Sequence, residues 1–143
     1  MNREDFRKRC MAVAAGIASL DVVYGCASLP FVPFTVENEA LVIRKADFGP
    51  ESFVLLRVVH LPAPVFVNRR ASDDYTAVLL KCTHRGCEVQ PAGGRLECPC
   101  HGSRYTRAGQ VIRGPAPENL QAFQVHDSDQ YVHIEIGMTL SVR

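Results

Sequence analysis

Charge of one sign is the first thing this 143-residue sequence lacks: 16 Lys and Arg against 15 Asp and Glu leave a formal net charge of +1. Without a basic field or an acidic tail, binding to a phosphate backbone is excluded as a main activity. No internal repeat is visible, and one domain with a short extension is what this length allows. Cysteines spread as a disulfide scaffold are absent too. Four of the six, Cys82, Cys87, Cys98 and Cys100, are crowded into residues 82–100, while Cys10 and Cys26 lie near the N-terminus. Local crowding among histidines reads as metal binding. A second ligand group is missing: His60, His126 and His133 fall in or beside strand-like segments without companion ligands, and read as surface or strand histidines.

Beyond Arg3, Arg7, Lys8 and Arg9 the chain enters Met11–Leu20, an apolar run of small residues laid out like an export signal. Asn2-Arg3-Glu4-Asp5-Phe6-Arg7-Lys8 resembles a degenerate twin-arginine signal, a route that carries folded, cofactor-loaded proteins. Apolar character resumes at Val22 and runs to Phe34, so the stretch from Met11 is about long enough for a bilayer of roughly 30 Å. Asp21, Pro30 and Pro33 oppose that, since a mid-helix carboxylate costs about 3 kcal/mol on insertion scales. Val23-Tyr24-Gly25-Cys26 resembles a lipobox, which makes Cys26 a candidate lipid-attachment residue. Cleaved leader, retained anchor and lipoprotein all stay open, and Cys10 reads as an incidental thiol. Residues 1–34 are expected to be the export or anchor segment, and 35–143 the folded domain.

From Thr35 the pattern becomes short alternating runs broken by Gly, Pro and Asp, which is the pattern of strands. Candidates are 41–48, 52–60, 64–68, 75–81, 95–98, 110–112, 121–126 and 131–136. In the last, Val132, Ile134 and Ile136 should face the core and Tyr131, His133 and Glu135 the other side. An all-β antiparallel domain is expected.

The chemistry is carried by Cys82-Thr83-His84-Arg85-Gly86-Cys87 and Cys98-Pro99-Cys100-His101-Gly102-Ser103. A tetrahedral zinc site would accept two Cys and two His. Zinc fingers, however, usually pair Cys with Cys and His with His, whereas each segment here offers one of each. Zinc would also leave Cys87 and Cys100 without a role.

Both segments, and Gly114-Pro115-Ala116-Pro117 after them, resemble the Rieske iron-sulfur family. The resemblance implies an antiparallel β sandwich with a cluster-binding subdomain inserted at about 82–117. It also implies one [2Fe-2S] cluster, with Cys82 and Cys98 on one iron and His84 and His101 on the other, and a Cys87–Cys100 disulfide tying the loops. Ser103 and Tyr105 match positions whose hydroxyls donate to a bridging sulfide and to the Cys82 thiolate. Gly114, Pro115, Ala116 and Pro117 match a stiff loop that shields the cluster. The family role is an electron-transfer subunit that takes an electron and a proton from quinol beside membrane cytochrome b and c-type cytochrome subunits. The domain would then lie on the outer, periplasmic side of a bacterial cytoplasmic membrane, where a disulfide survives. A freestanding exported carrier and the small subunit of a molybdenum oxidase such as arsenite oxidase are the alternatives. Arg85 stands where quinol-oxidising relatives commonly carry leucine, which bears on that choice.

Ligand charge explains the expected redox behaviour directly. Two ferric ions, two sulfides and two thiolates sum to zero with neutral imidazoles, against minus two for four thiolates. Reduction is therefore easier, in line with roughly −150 to +300 mV against about −400 mV for four-cysteine clusters. Rieske oxygenases need a further site of two histidines and a carboxylate on a far longer chain, and no such set is evident.

Overall fold

The computed structural model describes residues 28–71 and 73–137. The export-signal layout, Cys10 and the candidate lipid-attachment residue Cys26 lie outside the described residues. Among the described residues, no helix is long and apolar enough to cross a membrane.

Among the described residues, eleven strands form: β1 Thr35–Glu37, β2 Ala40–Arg44, β3 Phe53–Leu56, β4 Val65–Ala71, β5 Asp74–Leu79, β6 Gln90–Ala92, β7 Arg95–Glu97, β8 Arg104–Tyr105, β9 Val111–Arg113, β10 Ala122–Asp127 and β11 Tyr131–Glu135. Seven build one antiparallel sheet in the order β1-β2-β11-β10-β5-β4-β3. The remaining four form a second sheet in the order β6-β7-β8-β9. Leu41 and Ile43 from one end of the large sheet share a single core with Val54, Leu56 and Phe66 from the other end. The sheet therefore curls over itself, as a long twisted sheet must to bury its apolar face.

Alternation sets the register. Val132, Ile134 and Ile136 are buried, while Tyr131 and Glu135 are exposed and His133 is half-buried, as the period of two requires. β3 and the first half of β4 are buried on both faces, which accounts for their continuous apolar runs Phe53-Val54-Leu55-Leu56 and Val65-Phe66-Val67.

The expected strand 41–48 stops at Arg44. There the Asp47 carboxylate accepts from the Arg44 backbone N–H at 3.3 Å and pairs with its guanidinium at 2.7 Å, closing a 3₁₀ turn over Lys45–Asp47. Ahead of β1, Phe31 bridges to Leu55, with Leu55 N–H donating to Pro30 O at 2.9 Å and Val32 N–H donating to Leu55 O at 3.1 Å. Residues 30–32 thus lie along the edge of the large sheet.

The small sheet sits between β5 and β10 in the chain and hands its ends back to the large one. Gly109 marks the contact: a Cβ there would stand 2.8 Å from Val78 Cγ1 and 3.2 Å from Leu120 Cβ, so only glycine allows the turn after β8 to lie against β5. Arg107 spans the same junction, its guanidinium stacked over Phe53 and Phe66 and donating to Glu51 O at 2.9 Å.

Candidate metal centre

Two loops leave the sheets side by side and are closed by the same backbone bonds. In the first, following β5, Cys82 N–H donates to Cys87 O at 2.9 Å and Gly86 N–H donates to Cys82 O at 2.8 Å. In the second, following β7, Cys98 N–H donates to Ser103 O at 2.8 Å and Gly102 N–H donates to Cys98 O at 3.0 Å. Each loop needs a left-handed residue before its last bond, and glycine supplies it, with φ of 79° at Gly86 and 75° at Gly102. Cys87 and Cys100 are joined in a disulfide that fastens the tip of one loop to the other.

Within this frame the first cysteine of each loop remains a free, buried thiol: Cys82 and Cys98. Burial pushes the Cys82 thiol up, but hydrogen bonds from Tyr105, the His84 backbone, Cys98 and Ser103 more than offset it and hold the group below its usual range. For Cys98 burial prevails: the thiol is raised, with Cys82 beside it adding to the effect and the Cys100 and His101 backbone N–H groups opposing it. Two thiols in contact, each met by backbone donors, form a pocket for bound thiolate sulfur.

Tyr105 lies wholly buried beneath them, its hydroxyl 3.3 Å from Cys82 Sγ. Thr83 N–H donates to the Tyr105 oxygen at 3.3 Å, and the phenol proton has Cys82 Sγ at 3.3 Å and Thr83 Oγ1 at 3.4 Å as acceptors. Burial raises the Tyr105 hydroxyl above its usual range, and the Cys82 contact adds to this, so it stays a donor. Ser103 is also wholly buried, and its Oγ accepts from Ala116 N–H at 3.0 Å. Its own proton is left free to donate toward sulfur.

The two histidines meet edge to face with ring centroids 4.7 Å apart. His84 is half-buried and His101 exposed. The decisive feature is His84 Nδ1, which is buried and has no hydrogen-bond partner. A buried imidazole nitrogen without a partner costs about 1–3 kcal/mol unless something takes its lone pair. Beside a second imidazole and two free thiols, that something fits a metal group bound by mixed nitrogen and sulfur.

The structure therefore brings Cys82, Cys98, His84, His101, Ser103 and Tyr105 into one place, with the disulfide against it; Cys98 Sγ lies within 4.8 Å of both disulfide sulfurs. Of the loop 114–117, Ala116 is buried against Ser103, while Gly114, Pro115 and Pro117 are exposed. Sequence reasoning missed Thr83. Besides supporting Tyr105, its Oγ1 donates to Glu118 O at 2.7 Å, tying the first loop to the chain beyond Pro117. Its place between Cys82 and His84 was the available signal. Arg85 is exposed and, among the described residues, forms no hydrogen bond or ion pair.

The family described as Rieske [2Fe-2S] domain matches residues 38–124, more than half of the chain. The chain belongs to the Rieske family. A domain of this family carries one [2Fe-2S] cluster. Among curated proteins, the chain is 40% identical over 84 residues to the cytochrome b6-f complex iron-sulfur subunit 1 of Synechocystis, covering 57% of this chain and 47% of that one. The chain spans less than half the length of the curated relatives it matches. Among solved structures it is similar to the plasma-membrane Rieske protein of Synechocystis, with a TM-score of 0.55, 29% identity, and coverage of 64% of this chain and 93% of that one. It also resembles a chain of a hyperthermophilic respiratory complex III, with a TM-score of 0.51, 28% identity, and coverage of 64% and 71% respectively.

Proposed function

We propose that Cys82 and Cys98 hold one iron of the cluster and His84 and His101 the other, and that the chain passes single electrons as the iron-sulfur subunit of a quinol-oxidising cytochrome complex. The observation that carries this reading is the partnerless, buried Nδ1 of His84, set beside His101 and the two free thiols. When bound, the cluster supplies a one-electron acceptor whose mixed ligands favour reduction.

The residues around it divide the remaining work. Cys82 and Cys98 offer sulfur in a pocket closed to water, where backbone N–H groups and the Tyr105 hydroxyl favour added negative charge. Ser103 turns its free proton to the same region while its oxygen holds Ala116, so the 114–117 loop is kept over the site. His84 directs Nδ1 inward, and its Nε2 is the nitrogen left to hold or release a proton. Exposed His101 presents its outer nitrogen to a partner. A quinol hydroxyl meeting that nitrogen would give up its proton there as the electron leaves.

Relatives named as cytochrome b6-f subunits and as part of a complex III support cytochrome b and c-type partners. The relative named as a plasma-membrane protein supports membrane association, which here would run through residues 1–34 as anchor or through a lipid on Cys26, with the domain on the outer face.

Exposed, unpaired Arg85 beside His84 favours a second reading, in which the chain is an exported carrier, or a molybdenum-oxidase subunit, that meets a partner in water. A cation at the tip replaces an apolar contact and should raise the potential. Redox titration across the alkaline range tests the proton coupling, with the midpoint expected to fall toward about 59 mV per pH unit. A flat potential would remove the histidines from the proton's path. Co-purification separates the partners: a haem-bearing membrane complex supports the first reading, and a soluble or molybdenum partner the second.

A further inference from the structure

Away from the cluster loops, the outward face of β10 and β11 gathers ligand side chains that electron transfer does not use. His126 and His133 are direct cross-strand partners, and Glu135 lies two residues beyond His133, opposite Gln124. Alternation puts His133 and Glu135 on one side of β11, and a directly opposed pair shares a face, so all three project away from buried Val132 and Ile134. The histidines thus have the companion carboxylate that the sequence did not reveal. His126 Nε2 stands 3.0 Å from Glu135 Oε1, with the two side chains 61% and 53% exposed.

That separation is close to what one ion demands. Two ligands bound at about 2.0–2.2 Å to a tetrahedral centre stand about 3.3 Å apart, so His126 and Glu135 hardly need to move. His133 has no hydrogen bond or ion pair among the described residues to hold it elsewhere. Opposed side chains start from Cβ atoms about 4.5–5.5 Å apart, within reach of an imidazole that turns about χ1 and χ2. Such a turn is required, because the three ligand atoms do not yet lie within 4.8 Å of one another. The cation that neighbours this face, Arg44, is held by Asp47.

We propose that His126, His133 and Glu135 form an exposed site for a divalent transition ion of the zinc or copper class, completed by water. Two imidazoles select such ions over magnesium or calcium. The bound ion would pin β10 to β11, both interior strands of the large sheet, and stabilise the folded chain by mass action.

Titration of the oxidised, cluster-loaded protein with Cu2+, followed by electron paramagnetic resonance, tests the site, because the oxidised cluster is silent and copper alone is seen. One copper per chain, split by two imidazole nitrogens and displaced by a large excess of Zn2+, is expected. His126→Gln and His133→Gln should each weaken binding by about tenfold or more, the scale on which even the outer partners of ligands change affinity. The reduced-cluster signal, unchanged in both variants, reports that they fold. Copper without nitrogen splitting, or bound equally well by both variants, would overturn the proposal and place the ion elsewhere, His101 included.

Discussion

The loops 82–87 and 98–103 have one backbone and two chemistries. Both close from the amide of the first cysteine and turn at a left-handed glycine, so the two sulfurs are delivered to matching places. Histidine and the disulfide cysteine, however, occupy different steps. The first loop carries His84 early and Cys87 at its close; the second carries Cys100 early and His101 after it. The result is one half-buried imidazole with its Nδ1 turned inward and one exposed imidazole. Their side-chain supports differ as well: Tyr105 and Thr83 brace the first loop, while Ser103 closes the second and holds Ala116. A common frame fixes where sulfur goes; the exchanged positions decide which histidine is exposed.

The largest effect should come from cutting the tie between the loops. Cys87→Ser or Cys100→Ser should lower stability by about 3 kcal/mol, the scale for a short disulfide loop, and release the cluster. Thermal unfolding with iron analysis checks this, and a variant that retained its iron would show that each loop holds its own half. Ser103→Ala comes next: it strands the buried Ala116 N–H, at about 1–3 kcal/mol, and lowers the midpoint potential. If the two loops are truly one frame, Gly86→Ala and Gly102→Ala should destabilise alike, by about 1–2 kcal/mol each. Unequal losses in denaturant titrations would break the equivalence.

Tyr105→Phe should spare the cluster and lower the potential by on the order of tens of millivolts, since the lost hydrogen bond favours the reduced state. A potential equal to the parent's would separate Tyr105 from Cys82. The smallest effect lies far from both loops. Lys45 donates to Asp73 at 2.7 Å and to Asp127 at 2.9 Å, and it holds the Asp127 carboxyl below its usual range. A depressed carboxyl contributes stability above its unfolded value, and that contribution fades as pH falls through the lower folded value. Lys45→Met should therefore flatten the acid limb of a stability–pH curve and leave the potential untouched.

Much of the candidate site was legible in the sequence because Cys and His residues declare themselves by type and spacing. Cys82, His84, Cys98 and His101 lie in two compact motifs, and the Cys87–Cys100 disulfide followed from the family they resemble. β11 was legible from alternation, and the first half of β4 from its continuous apolar run. Short elements were not. Gln90-Pro91-Ala92 and the two-residue strand Arg104–Tyr105 carry no period to read, and they form only because β7 lies between them to pair with both. The bracing by Thr83 was hidden for a related reason: its partners, Tyr105 and Glu118, are remote in sequence and meet it only through the fold.

Mixed nitrogen and sulfur ligation is tested most directly by pulsed electron paramagnetic resonance on the reduced protein. The predicted result is a [2Fe-2S] signal coupled to two imidazole nitrogens, with one coupling lost in His84→Cys and the other in His101→Cys. A signal without nitrogen coupling, or silent protein that holds zinc in place of iron, would contradict the account.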